Sequence, residues 1–218
     1  MFFILLEGAW VSVEIFFLTL IFALPLALPV MFCRMSKNVF LRTIIGFYVL
    51  ITRGTPLILQ LIFIYFAPSY LYRFLFGILG EAVDAAAFWG ILKVLLSYNR
   101  FVAVIIAFVL NYAAYFAEIY RGGIASIPIG QYEAARALGL SERQVFSKVV
   151  LPQFVKRILP AMGNEVITLV KDTALAQVIG VAELFHYARS ASSRDFSTIP
   201  IFIAGLFYLT MNWIVSLA

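Results

Sequence analysis

The sequence predicts an all-α integral membrane protein of about five membrane-crossing helices, and three observations carry that prediction. Only 12% of the 218 residues are charged and 64% are hydrophobic, where a soluble domain carries about 25% charged residues to face water. The mean hydropathy is +1.01. The apolar runs are continuous and long, unlike the short alternating segments of a transmembrane barrel. Lipid is the solvent of this exterior.

The elements follow in order. The first span is expected from about Ala9 to Cys33, with Pro25 and Pro29 inside it as kink sites. Ahead of it, the segment from Met1 to Glu7 has no basic cluster and no clear small-residue cleavage site, so the run reads as a retained helix. A second apolar stretch opens at Val39 and is interrupted at Arg53-Gly54-Thr55-Pro56. Thr55 can cap a helix and Pro56 suits its first turn, so the second span is placed from Thr55 to about Leu75. Residues 39–52 become a helix lying along or dipping into the inner interface. A mixed segment, 76–99, contains Glu81, Asp84, Trp89 and Lys93, and its aromatic residue fits an interfacial belt. The third span is expected from Arg100 to Tyr120, the fourth from Ala161 to Leu184, and the fifth from Ile199 to the last residue, with its charged flank expected beyond Ala218.

Basic residues in the connections orient these spans. The segment after the first span and the long segment 121–160 together hold ten, and the other connections hold five. That bias places the first two inside, the N-terminus outside and the C-terminus inside. It also accounts for the net charge of +5 as lipid topology, with no nucleic acid partner. Cys33 and His186 are the single residues of their kinds, so neither a disulfide nor a cysteine or histidine metal cluster is available, and no cofactor is expected.

The inner segment between Ile127 and Gln153 has coherent local signals. Pro128 and Gly130 break the preceding helix, and residues 131–138 are strong helix formers. Gly139 stands where a C-terminal cap belongs. Ser141 with Gln144 forms a capping box for a second short helix, which Pro152 is expected to end. Alanines 134, 135 and 137 allow close approach of another backbone. The hairpin reads either as a knob for a cleft on a soluble partner or as a plain amphipathic interfacial element.

Glu133-Ala134-Ala135, then Gly139, then Val149-x-Leu151-Pro152 follows the pattern EAA-x3-G-x9-I-x-LP, with valine in place of isoleucine. On that spacing the chain resembles the permease subunits of ATP-binding cassette (ABC) importers of type I. Arg53-Gly54-Thr55-Pro56-Leu57, the stretch 117–124, the stretch 159–165 and Lys171-Asp172-Thr173 make it similar to the polar amino acid branch (histidine, glutamine or arginine type). The resemblance covers nearly the whole chain, as a single permease domain, 1–218, with a cytoplasmic coupling loop at about 122–160. It implies that Glu133, Ala134, Ala135 and Gly139 belong to an element docking on a cytoplasmic ATPase. It further implies two such ATPase subunits, a second permease copy or paralogue, and an extracytoplasmic amino-acid-binding protein, in a bacterial cell membrane. The chain has no G-x-x-x-x-G-K-[ST] phosphate loop of its own, so ATP hydrolysis is expected in a partner.

The fourth span carries Asn164, Glu165, Thr168, Lys171 and Asp172. An ionised side chain at mid-bilayer costs roughly 2.5–3.5 kcal/mol, so these cannot all face lipid. Helical offsets put Asn164, Glu165, Thr168 and Asp172 on one broad face. A route for a zwitterion needs a carboxylate for the amino group and a cation or N–H donors for the carboxylate, and these five are the candidate pathway residues. The other reading makes Glu165, Lys171 and Asp172 structural ion pairs near the inner surface. Glu118 and Arg121 read as a helix-end pair, Glu14 as interfacial and His186 as solvated.

A self-contained channel or secondary transporter is the competing function; no convincing repeat between the halves supports it. A membrane enzyme lacks its H-E-x-x-H or Ser–His signature. The orientation is directly testable: a label placed at Ser141 should react from the cytoplasmic side only, and reaction from the exterior alone would overturn the topology.

Overall fold

The computed structural model describes residues 2–79 and 99–217, and among these every regular element is a helix. The expectations for Glu81, Asp84, Trp89 and Lys93 lie outside the described residues. Helix α1 spans Phe2–Arg34, with Pro25 and Pro29 inside it. Helix α2, Val39–Gly54, is capped by Asn38, whose side chain accepts from the Phe40 and Leu41 amides. Helix α3 spans Leu57–Leu79. Helix α4, Arg100–Ala125, begins on Asn99, which caps the Val102 amide. Then come α5, Ile129–Ala137, α6, Glu142–Gln144, a π turn over Val145–Val150 and α7, Leu151–Asp172. A 3₁₀ turn, Thr173–Ile179, leads to α8, Leu184–Asp195, and α9, Ile199–Ser216.

Among the described residues, four helices are long and apolar enough to cross a membrane: α1, residues Leu57–Ile78 of α3, α4 and α9. The fifth predicted crossing corresponds to α7 with its 3₁₀ extension, and it differs from expectation. The helix does not stop at Pro152 and restart near Ala161. Pro152 instead lies in the first turn of α7, directly after the π turn. A proline lacks an N–H and crowds the carbonyl four residues earlier. The wider π turn gives that carbonyl room, so the chain stays helical from Glu142 to Asp172. At its other end α7 gives way at Asp172 rather than Leu184, and Gly180, at φ 78°, closes the 3₁₀ turn in the left-handed region that glycine adopts most readily.

Helix α1 packs along α4 as the central contact of the bundle, with α3 and α7 on other faces of α4 and α8 and α9 at the N-terminal end of α1. Lipid tails are as apolar as leucine, so helix association here rests on close van der Waals fit and interhelical hydrogen bonds. The α1–α4 core accordingly uses small residues: Ala23 and Ala27 face Ala103, Ala107, Ala113, Ala114 and Ala117, all fully buried. Gly8 serves α8 in the same way. A Cβ there would lie 2.7 Å from the Tyr187 ring and 2.8 Å from the Leu184 backbone.

One buried carboxylate fastens this end. Glu183 is 0% exposed and caps α8, accepting from the Phe185 amide at 2.7 Å and the His186 amide at 2.8 Å. Tyr208 of α9 donates to it at 2.9 Å and Ser12 of α1 at 3.5 Å. Three helices thus converge on one side chain. Removing a buried acceptor leaves its donors unpaired, at about 1–3 kcal/mol per group. Glu183→Ala should therefore lower the thermal midpoint of the detergent-solubilised protein by several degrees, and Glu183→Gln by less; equal midpoints in all three proteins would refute this role.

Candidate functional site

The site begins where α2 and α3 break. Thr55 is extended (φ −122°, ψ 149°), as a residue before proline prefers, and Pro56 leads into α3. The break lies level with the middle of α4, although residues 53–56 are exposed in the single chain. The Tyr48 hydroxyl of α2 donates to the carbonyl of Leu110 and the Asn111 amide to that of Thr52, so α2 climbs to the middle of α4. The C-terminal half of α2 packs into the bundle, with Val49 and Thr52 buried. Carbonyls freed inside a membrane need partners, and Gln60 supplies them. Its Nε2 donates one hydrogen to the carbonyl of Thr52 at 2.7 Å and shares the other between the carbonyl and hydroxyl of Thr55, at 3.0 and 2.9 Å. Its Oε1 accepts from Asn111 at 3.0 Å.

Beside this break lies a cavity of about 530 Å³, within the range of small-molecule sites. The break contributes Thr55 and Pro56, α4 contributes Asn111, Tyr112 and Tyr115, and α7 contributes Glu165, Thr168 and Asp172. The Tyr112 hydroxyl donates to Asp172 at 2.8 Å, and Thr168 donates to the Asn164 carbonyl at 2.9 Å. Glu165 and Asp172 are half-buried. Three of the five sequence candidates therefore meet in one polar cavity. Asn164 and Lys171 are exposed and do not line it. A larger cavity, about 950 Å³ along α3, is lined by Leu59, Ile62, Phe63 and Phe74 and offers no comparable polar chemistry.

Towards the end of α4, Glu118 accepts from Arg121 at 2.7 and 2.9 Å and from Arg34 of α1 at 3.3 Å. The expected helix-end pair is thus a triad that also ties down α1. A cavity of about 330 Å³ beside it is bordered by Arg34, Arg53 and Glu118. The Arg53 guanidinium stands 5.2 Å from the Tyr115 ring centroid. His186 is half-buried, its ring edge-on to Tyr187 at 5.9 Å. Glu14 is half-exposed on α1.

The hairpin of α5 and α6 forms as the local signals require. Gly139 adopts φ 78°, its amide donates to Arg136 and the Leu140 amide reaches the Ala135 carbonyl, which is the Schellman closure of a helix end. The Ser141–Gln144 capping box is present on both sides. Arg136 crosses the turn to Glu142 at 2.8 Å, and this hydrogen bond holds the Glu142 carboxyl below the usual carboxylate range. Glu133, Ala134 and Gly139 are exposed, together with Ile129, Leu138 and Phe146. Ala135 is buried against Ile127, Val145 and Val150. It packs the hairpin on its own stem rather than presenting an outer surface.

Sequence reasoning missed Gln60, Asn111, Tyr112 and Glu183 as site or anchor residues. An amide in the middle of the third apolar span was a legible signal for Asn111. Gly180 followed by Glu183 marked a new helix cap, but the fourth span as drawn absorbed both.

Comparison with known proteins gives consistent results. Residues 19–218 match the family model described as the binding-protein-dependent transport system inner membrane component. The chain is similar to the nopaline transport system permease protein NocM of Agrobacterium fabrum, 36% identical over 213 residues, covering 97% of this chain and 83% of the relative. It is similar to the putative glutamine transport system permease protein GlnP of Rickettsia conorii, 32% identical, covering 98% and 88%. Among solved structures it resembles an amino acid ABC transporter crystallised with histidines, with a TM-score of 0.78 at 29% identity over 98% of this chain and 89% of that one. The MetNI methionine ABC transporter shares the fold, at TM-score 0.66 and 19% identity over 100% and 93%.

The Gln60–Asn111 pair yields a test. Gln60→Leu strands the Thr55 carbonyl, leaves the Thr52 carbonyl with only the Asn111 amide and removes the acceptor of that amide, so each single change, Gln60→Leu or Asn111→Leu, should destabilise by about 1–3 kcal/mol. The double variant should cost less than the two together, because the residues share one network; simple additivity in thermal melts would contradict the coupling.

Proposed function

The chain belongs to the binding-protein-dependent transport system inner membrane component family, and from that premise we propose that it carries a polar amino acid through the cavity between the α2–α3 break, α4 and α7. It is the membrane-spanning permease subunit of an ABC amino acid importer, a transport subunit rather than an enzyme. The observation that supports the cargo assignment is the polar cavity itself. Glu165, Asp172, Thr168 and Asn111 gather at one cavity beside a largely hydrophobic core. Polar and ionisable groups inside a membrane protein belong on substrate paths or in paired networks, and this cavity has the volume for a small zwitterion. Glu165 is the group suited to a substrate amine, while Asp172 is held by Tyr112 and shapes the wall. Asn164 and Lys171, exposed in the single chain, would meet a second permease subunit or its side of a shared path.

Energy enters through the hairpin. Glu133 and Ala134 stand exposed on α5 with apolar Ile129 and Leu138 beside them, a surface suited to a groove on a cytoplasmic ATPase. Arg136–Glu142 and the Gly139 turn keep it rigid, and buried Ala135 joins it to the stem of α7. A push on α5 is thus carried through the π turn into the helix that bears Glu165 and Asp172. The full assembly in this reading is two ATPases, two permease chains and an extracytoplasmic binding protein in a bacterial cell membrane.

Ala134→Arg tests the coupling. Its bulk and charge on the exposed face should abolish co-purification of the ATPase subunits and ATP-dependent uptake while leaving the thermal midpoint within about one degree, since exposed changes cost little. Uptake that persists without any bound ATPase would favour a self-contained channel instead.

A further inference from the structure

An amino acid carries a carboxylate as well as an amine, and no lysine or arginine lines the polar cavity among the described residues: Lys171 is exposed on α7, and Arg53, also exposed, borders the smaller cavity beside it. We propose that Arg53, at the end of α2, receives the α-carboxylate of the transported amino acid opposite Glu165. This rests on the amino acid reading and assigns the second half of the same site.

Four observations support it. Arg53 follows Thr52, whose carbonyl is tied to Asn111 and Gln60 inside the bundle, so the residue is anchored at cavity depth rather than at a fraying end. Its guanidinium lies over Tyr115 at 5.2 Å, and Tyr115 lines the polar cavity while Arg53 borders the smaller one next to it. Arg53 therefore stands at the junction of the two. Among the described residues no carboxylate forms an ion pair with it. Glu118, which borders the same smaller cavity, is already taken by Arg34 and Arg121. A guanidinium held by a ring face alone keeps its planar fork of donors available, the geometry that grips a carboxylate with two parallel hydrogen bonds. The two charges also explain why a broken helix is kept here. The break brings Arg53 beside the cavity, and Gln60 offsets the cost of the freed carbonyls.

The test uses the permease assembled with its ATPase subunits in nanodiscs, without binding protein. The complex is titrated with the common L-amino acids in turn, and the tightest binder is compared with the amine left on removing its carboxylate. Wild type should prefer the amino acid. Arg53→Gln should weaken its binding about tenfold or more and leave the amine unchanged, erasing the preference, while Arg53→Lys keeps part of it. Glu165→Gln should weaken both ligands, and Lys171→Gln neither. An unchanged preference in Arg53→Gln, or its loss in Lys171→Gln, overturns the assignment of Arg53 and leaves the importer reading intact. A wild-type complex that binds no amino acid, and imports none when given a binding protein, overturns both.

Discussion

The site in this bundle answers to one constraint: inside the membrane no water can satisfy a freed backbone group, so its carbonyls need protein partners or a path that holds water or cargo. The constraint is most visible at the α2–α3 break. Interrupting a helix at the depth of Asn111 frees carbonyls that would otherwise be paired, and Gln60 takes up two of them while completing its own valence on Asn111. The break is tolerable because of that side chain. The break leaves an irregular stretch of backbone, Thr55 and Pro56, lining the cavity.

The same requirement sorts the carboxylates. Glu183 is surrounded by donors from α1, α8 and α9 and serves as a fastening point. Glu118 is neutralised by two arginines from two helices. Asp172 holds the Tyr112 hydroxyl. Glu165 has the cavity before it, and this difference in company, more than burial, separates a structural acid from one available to a ligand.

Mechanical continuity follows from the π turn. A helix ending at Pro152 would have separated the hairpin from the span behind it by a flexible joint. The widened turn keeps Glu142 to Asp172 helical, with Ala135, Val145 and Val150 packed at the junction. Gly123 of α4, with no side chain, lets Ile158 and Phe154 of α7 seat closely against it. Motion at α5 therefore has a stiff path towards the cavity wall.

Much of this was legible in the sequence. Composition alone specified lipid as solvent, because too few charges remain to hydrate a surface, and spacing alone marked the hairpin, because Gly139 and the Ser141–Gln144 box act over three or four residues. The cluster Asn164 to Asp172 announced a polar face by helical periodicity. Which of those residues meet a cavity was a different matter. It depends on the rotation of α7 against α4 and on how deep α2 climbs, and neither is encoded in local propensity. Pairings such as Gln60 with Asn111, Tyr112 with Asp172 and Glu183 with Tyr208 join residues far apart in the chain, and only packing decides them. The sequence by itself determined the solvent, the helices and the hairpin, since short-range forces suffice for those. The tertiary structure alone decided the cavity and the partners of its charges, since these arise where separate helices meet.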